Sequence, residues 1–370
     1  MIDRSLPDFP WDSLAPYKAR ASAHPDGIVD LSVGTPVDPT PPFVRTALAE
    51  AADAPGYPVT VGTAEVREAI CAWFDRRRGV PGLDPSQAIP TIGSKELVAW
   101  LPTLLGLGPG DIVGIPEVAY PTYDVGARLA GASSVVAQSL TRLGPLTRAT
   151  TPKLLWLNSP SNPSGQVLGV EHLAKVVSWA REHGVIVASD ECYAELDWRR
   201  GQLGRATPSV LHPDVCGGDH TGLLAVYSLS KQSNLAGYRA AFVAGDAQLV
   251  ARILEVRKHA GMMMPAPVQH AMALALRDDA HVAEQRDVYG LRREVLLEAV
   301  QRAGLRVDHS EAGLYLWATR EEDCWATVSE LADRGILVAP GSFYGAAGQQ
   351  HVRIALTATD ERIKAASNRL

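Results

Sequence analysis

Lys231 stands in the run Tyr227-Ser228-Leu229-Ser230-Lys231-Gln232-Ser233-Asn234-Leu235-Ala236-Gly237-Tyr238-Arg239, directly after the apolar stretch Leu223-Leu224-Ala225-Val226. That stretch is short, follows Gly222 and reads as a buried strand. A lysine just past such a strand end, partly desolvated and with an arginine downstream, loses part of its preference for the charged form. It becomes a usable amine nucleophile. The serines and Arg239 can hold a phosphate, because hydroxyls donate to its oxygens and a guanidinium matches it bidentately. An amine beside a phosphate cradle points to pyridoxal 5'-phosphate, bound through a lysine Schiff base. Taken alone, the segment reads equally as a surface loop with one solvated lysine.

A second segment favours the chemical reading. Val185-Ile186-Val187-Ala188 is another buried-strand pattern, and it delivers Ser189-Asp190-Glu191-Cys192-Tyr193 at its C-terminal end. Open α/β sheets bind ligands just outside the carboxyl ends of their strands. A carboxylate there can pair with a protonated pyridine nitrogen and keep the ring an electron sink. By itself Asp190 also reads as a helix N-cap or a turn residue.

In order and spacing, these segments resemble the fold-type I pyridoxal-phosphate aminotransferases of the aspartate-aminotransferase-like superfamily. The resemblance runs from Leu31-Ser32-Val33-Gly34 to Val352-Arg353-Ile354, nearly the whole chain. It implies that Lys231 carries the cofactor and that Asp190 pairs with its ring nitrogen. Tyr193 and Asn162, the latter in Asn158-Ser159-Pro160-Ser161-Asn162-Pro163-Ser164-Gly165, resemble the pair that hydrogen-bonds the phenolic oxygen. Ser228 and Arg239 resemble phosphate ligands. Ser94 and Lys95 join them from the turn Gly93-Ser94-Lys95-Glu96, where a helix start offers free N–H groups to an anion. Tyr120 resembles the aromatic that stacks on the ring, and Tyr57 a tyrosine that crosses a dimer interface to the neighbour's phosphate. Arg353 resembles the clamp on the substrate α-carboxylate, with Asn162 and the backbone near Gly34 beside it. Each motif alone has an ordinary reading: Asn162-Pro163 as a turn, Tyr120-Pro121 as a helix start, Arg353 as a strand charge. Their joint order carries the family.

The rest of the chain fits that family. At 370 residues it exceeds what one core usually supports, so two domains are expected. The larger should span residues 41–250 and bind the cofactor; the smaller should combine 1–40 with 251–370. A net charge of −6 and the lack of a basic block beyond Arg76-Arg77-Arg78 argue against nucleic acid. Those arginines precede Gly79, where they complement a helix dipole. The start has no signal-peptide core and no later run is long enough to span a bilayer, so no membrane partner and a cytoplasmic location are expected. Four cysteines without paired spacing suggest neither a disulfide framework nor a metal site; Cys192 reads as packing. The resemblance further implies a homodimer with shared active sites and amino-acid and keto-acid substrates such as glutamate and 2-oxoglutarate.

Alternation of strand and helix patterns predicts an α/β fold with a mostly parallel sheet covered on both faces. Strands are expected near 112–115, 135–138, 154–157, 185–189, 223–228 and 241–244. A smaller α+β unit should use strands near 305–308, 314–318, 337–339 and 352–356. Among the other lysines, Lys175 and Lys258 lie off the apolar stripe of helices, Lys153 enters a strand at the wrong end, and Lys18 and Lys364 sit near the termini. Only Lys95 competes with Lys231, and it lies in the anion-binding turn.

For the substrate, three segments resemble the actinobacterial type of N-succinyldiaminopimelate aminotransferase from the succinylase route to lysine. They are Leu6-Pro7-Asp8-Phe9-Pro10-Trp11-Asp12, Pro116-Glu117-Val118-Ala119-Tyr120-Pro121-Thr122-Tyr123 and Ser228-Leu229-Ser230-Lys231-Gln232-Ser233-Asn234. That reaction needs a second cationic or polar patch for distal acids, with Arg20, Lys18, Lys95 and Lys258 as candidates. Met262-Met263-Met264 reads as core packing, or else as an adaptable wall. Alternatives on the same fold are an LL-diaminopimelate, aspartate or broad-specificity aminotransferase and a carbon–sulfur lyase; a cofactor-binding sensor would need a DNA-binding segment.

Overall fold

The computed structural model describes residues 6–137, 147, 150–199 and 207–370. Its strands are β1 (Val29–Asp30), β2 (Ala88–Ile92), β3 (Ile112–Ile115), β4 (Ser133–Val136), β5 (Leu154–Asn158), β6 (Ile186–Asp190), β7 (Leu223–Ser228), β8 (Ala240–Gly245), β9 (Arg306–Asp308), β10 (Tyr315–Thr319), β11 (Ile336–Leu337), β12 (Ala339–Pro340) and β13 (His351–Ala355). Seven of them make one sheet in the order β2-β8-β7-β6-β5-β3-β4. Within it β8 runs antiparallel to both neighbours and the other pairs are parallel.

Every position of β5 and β7 is buried. Strands covered on both faces need such unbroken apolar runs. Alternate residues serve opposite cores: Leu223, Ala225 and Tyr227 pack with Trp73, Phe74 and Val176, whereas Leu224 and Val226 pack with Leu97, Leu101 and Tyr123. The edge strand β2 is absent from the expected set. Its Pro90 weakens any strand pattern, and an edge position is where proline is tolerated. β4 begins two residues before the expected 135, and Gln138 lies outside the described residues.

A second layer holds the antiparallel sheet β12-β13-β10-β9 and the parallel pair β1-β11. Its core joins Leu14, Ala21, Val29 and Leu31 to Tyr289, Leu296, Leu316, Val328 and Ile354. The N-terminal segment thus packs with the C-terminal third. The stretch after residue 250 does not pass at once into this layer. The helix Ala266–Arg277 puts Met272, Ala273 and Leu276 into the first core, against Val44 and Ile70. The crossing comes along the helix Ala280–Arg302, whose Tyr289, Leu296 and Val300 enter the second core. Among the described residues no helix is long and apolar enough to cross a membrane.

Helix ends follow local chemistry. Thr63 caps the helix Ala64–Arg78 by accepting from Val66 N at 3.2 Å, and Gly79 ends it at φ 63°. The arginines before that glycine do more than complement a dipole. Arg78 is buried and donates from Nη2 to Glu191 Oε2 at 3.1 Å, while Arg77 pairs with buried Glu195. Two buried carboxylates in the turn after β6 require such partners. The sequence pattern of the helix alone carries no sign of them.

Candidate active site

β5, β6 and β7 end side by side at Asn158, Asp190 and Ser228. A cavity of about 560 Å³ opens there, between the large sheet and β10 and β13. Of the twelve site residues named from sequence, eleven line it: Gly34, Ser94, Lys95, Tyr120, Asn162, Asp190, Tyr193, Ser228, Lys231, Arg239 and Arg353. Tyr57 does not, and is 95% exposed in the single chain.

Asp190 is buried at the cavity floor. Tyr123 Oη donates to its Oδ2 at 2.9 Å and Cys192 N to its Oδ1 at 3.2 Å. Burial raises its pKa, with the Cys192 and Tyr123 hydrogen bonds pulling the other way. Tyr123 is held by stacking on Trp156, with ring centroids 4.9 Å apart. Asn158 Nδ2 donates to Asp190 O at 3.1 Å while its Oδ1 accepts from Asn162 N at 2.7 Å. One side chain thereby ties the Asn162 loop to the end of β6.

The helix Ser94–Leu104 starts at Gly93, φ 81°, without a side-chain cap. A Cβ at Gly93 would collide with the Arg239 guanidinium, so only glycine lets the arginine close on the helix start. Arg239 itself takes φ 57°. Ser228 Oγ accepts from Ser230 N at 3.1 Å and donates to Ser230 Oγ at 2.8 Å. Uncapped N–H groups, two hydroxyls and a guanidinium therefore line one side of the cavity, a donor set for a phosphate. Glu96, in the first turn of this helix, is paired with the buried Arg257 at 2.8 Å, which anchors the turn from behind.

Lys231 lies in the short helix Leu229–Gln232 and donates to Gly34 O. Burial lowers its pKa, Tyr315 opposes that and Arg353 adds to it. Arg353 is also buried. Its Nη1 donates to Asn162 Oδ1 at 3.0 Å and its Nη2 to Ser32 O at 2.6 Å, while its Nε has no hydrogen-bond partner among the described residues. The guanidinium carbon lies 4.0 Å from the Tyr315 ring centroid and 5.1 Å from that of Tyr344.

Of the four cations considered for distal acids, Lys18 pairs with Asp30, Arg20 with Asp333 and Lys258 with Glu255. Lys95 lines the cavity, with its Nζ 5.4 Å from the Phe9 ring centroid and no carboxylate partner among the described residues. Phe9, Pro10 and Trp11 form part of the same wall, and Trp11 packs on Phe343 at 5.2 Å. Met264 belongs to the first core and Met262 packs on the opposite-face core, so these two methionines are packing. Sequence reasoning passed over Tyr123, Ser230 and Tyr315 as site residues and read Cys192 only as packing, although it too lines the cavity. Tyr123 stood within a quoted motif; for Tyr315 no local signal exists.

The profile of the family described as aminotransferase class I and II matches residues 26–370. A protein named as a probable aminotransferase of Mycobacterium tuberculosis is 63% identical over 369 residues, 100% of this chain and 86% of its own length. The 4-dedimethylamino-4-oxo-anhydrotetracycline transaminase of Streptomyces rimosus is 59% identical over 99% of both chains. Among solved structures, a probable N-succinyldiaminopimelate aminotransferase from Thermus thermophilus superposes with TM-score 0.85 at 31% identity, over 98% of this chain and 100% of that one.

Proposed function

Because this chain belongs to the class I and II aminotransferase family, a family that uses pyridoxal 5'-phosphate, we propose that it moves an amino group between glutamate and N-succinyl-2-amino-6-oxopimelate, with 2-oxoglutarate as the other keto acid. At the coarser level it is a pyridoxal-phosphate-dependent transaminase of the α/β fold-type I architecture. The residues present suit the cofactor. An uncapped helix start beside Arg239 and Ser228 fits its phosphate, and a buried carboxylate at the sheet end fits a protonated ring nitrogen.

When bound, the cofactor supplies the electron sink that makes the substrate α-proton removable. Lys231 Nζ would hold the cofactor, and its amine is the group placed to move the proton at the substrate α-carbon. Asp190 would keep positive charge at the ring nitrogen, and Tyr123 orients Asp190. Tyr193 and Asn162 would hold the phenolic oxygen, Tyr120 would pack against the ring, and Ser94, Ser228, Arg239 and the backbone of Lys95 would hold the phosphate. Arg353, with Asn162 and the Gly34 backbone, binds the α-carboxylate. Tyr57 serves the site of a second copy across a symmetric interface.

The observation that carries the substrate reading is the pairing, in one cavity, of Arg353, whose buried Nε lacks a partner among the described residues, with Lys95, a cation that meets no carboxylate among them. An α-carboxylate and one distal acid satisfy both. A second reading, a flat polycyclic ketone, is favoured by the Phe9-Pro10-Trp11 wall and by the Streptomyces rimosus relative. A panel of amino donors run with 2-oxoglutarate, including N-succinyl-LL-diaminopimelate, LL-diaminopimelate and a polycyclic amine, tests both. Lys95→Met should cut kcat/KM for the succinylated donor roughly tenfold to a hundredfold, the worth of a charged hydrogen bond, and spare alanine. Turnover of the polycyclic amine alone would remove the first reading, and pyruvate release from cystathionine without amino transfer would remove both.

A further inference from the structure

Tyr315 belongs to none of the motifs above, yet several contacts of the site converge on it. It opens β10 and is 4% exposed. Its Oη lies 3.1 Å from Tyr193 Oη. Its ring lies under the Arg353 guanidinium, 4.0 Å away. A Cβ at Gly34 would collide with its hydroxyl, so that hydroxyl is pressed against the residue whose carbonyl accepts from Lys231 Nζ. We propose that Tyr315 is a positioning residue for the reaction: its hydroxyl donates to Tyr193 Oη and so commits the Tyr193 proton to the cofactor's phenolic oxygen.

Proton counting forces the direction. Each hydroxyl carries one proton. If Tyr193 spends its proton on the cofactor oxygen, the contact with Tyr315 exists only when Tyr315 is the donor. A donor bonded in this way is polarised by the one behind it. The same ring packs on Arg353, so one side chain couples the carboxylate clamp to the cofactor edge. The cations facing Tyr315 are Arg353 and Lys231. The neutral phenols around it are Tyr193, Tyr120, Tyr289 and Tyr344, with Asp190 acting on Tyr193 and Tyr120. Burial raises those four phenols; it acts the same way on Tyr315, where the Arg353 and Lys231 cations pull the pKa down against it. A more acidic phenol is the better donor.

The inference rests on the placement of Tyr193 beside the phenolic oxygen, and the test separates the two. In cofactor-loaded protein, the pH midpoint of the visible absorbance reports the proton on the Lys231 nitrogen. A weaker donor at Tyr193 leaves more negative charge on the cofactor oxygen, which holds that proton to higher pH. Tyr315→Phe keeps the ring under Arg353 and removes only the hydroxyl. It should raise the midpoint by about half to one pH unit, the worth of one neutral hydrogen bond. In a Tyr193→Phe background it should add nothing. It should also lower kcat while leaving KM for the α-carboxylate substrate within about twofold, whereas Tyr315→Leu, which loses the ring, should raise KM. An unmoved midpoint in Tyr315→Phe, or an equal shift with and without the Tyr193 hydroxyl, overturns the inference. An unmoved midpoint in Tyr193→Phe removes the Tyr193 assignment and this inference with it.

Discussion

Replacing Asp190 with Asn keeps the shape of the side chain and removes its charge. In the protein without cofactor the change should be small. The amide oxygen of the variant can still accept from Cys192 N, while the 2.9 Å bond from Tyr123 Oη is lost or reversed. One such bond is worth roughly 0.5–1.5 kcal/mol. Against that loss, the variant no longer has to ionise a buried carboxyl. Burial raises the Asp190 pKa, so folding favours the protonated form. Its contribution is complete below the ordinary carboxyl pKa and is lost as pH rises through the raised value. Wild-type protein without cofactor should therefore lose stability with rising pH over that interval, and the variant should lose less. With the cofactor bound the balance reverses. A pair of opposite charges about 4 Å apart is worth about 4 kcal/mol at an effective dielectric constant near 20. If that stabilisation is realised as the α-proton leaves, turnover should fall roughly a thousandfold, at 1.36 kcal/mol per decade. Cofactor retention should survive through Ser94, Ser228 and Arg239. Half-reaction kinetics with glutamate, read beside melting curves with and without cofactor, make the comparison. Turnover within about tenfold of wild type, or a loss of activity tracked by a loss of folded protein, would refute the reasoning.

Borohydride treatment of the loaded protein should fix the cofactor to a peptide containing Lys231, and recovery of the label on Lys95 would transfer the assignment. Sizing should give a dimer, and Tyr57→Phe should weaken cofactor affinity; a fully active monomer would defeat the shared-site reading. Glu191→Gln should destabilise by about 3–5 kcal/mol because it leaves Arg78 buried without a countercharge, and an unchanged melting temperature would show that this pair does not anchor the turn carrying Asp190 and Tyr193.

Lys231, Asp190 and Ser228 were legible in sequence because each follows a short, unbroken apolar run, and strands covered on both faces must be written that way. Their chemistry then follows from lying at strand ends. Gly93 and Ser94 were legible for a similar reason, since a glycine turn opening a helix is a local event. What the linear chain could not show are contacts between residues far apart in it. Arg353 and Asn162 are brought together by the packing of β13 on the Asn158–Gly165 loop, and no pattern in either segment foretells the bond. Arg78 and Glu191 read as a helix-end charge and a turn residue until the fold buries both. Lys95 separated from its three competitors only when the others were seen paired with carboxylates. Tyr315 sits in an ordinary strand, Tyr-Leu-Trp-Ala-Thr, and owes its contacts in the cavity to the placement of β10 against Gly34 and Tyr193. Local sequence determined the strand ends and the groups they carry, because backbone hydrogen bonding and burial act over a few residues. Tertiary packing decided which of those groups meet, because hydrogen bonds and ion pairs act only at contact distance.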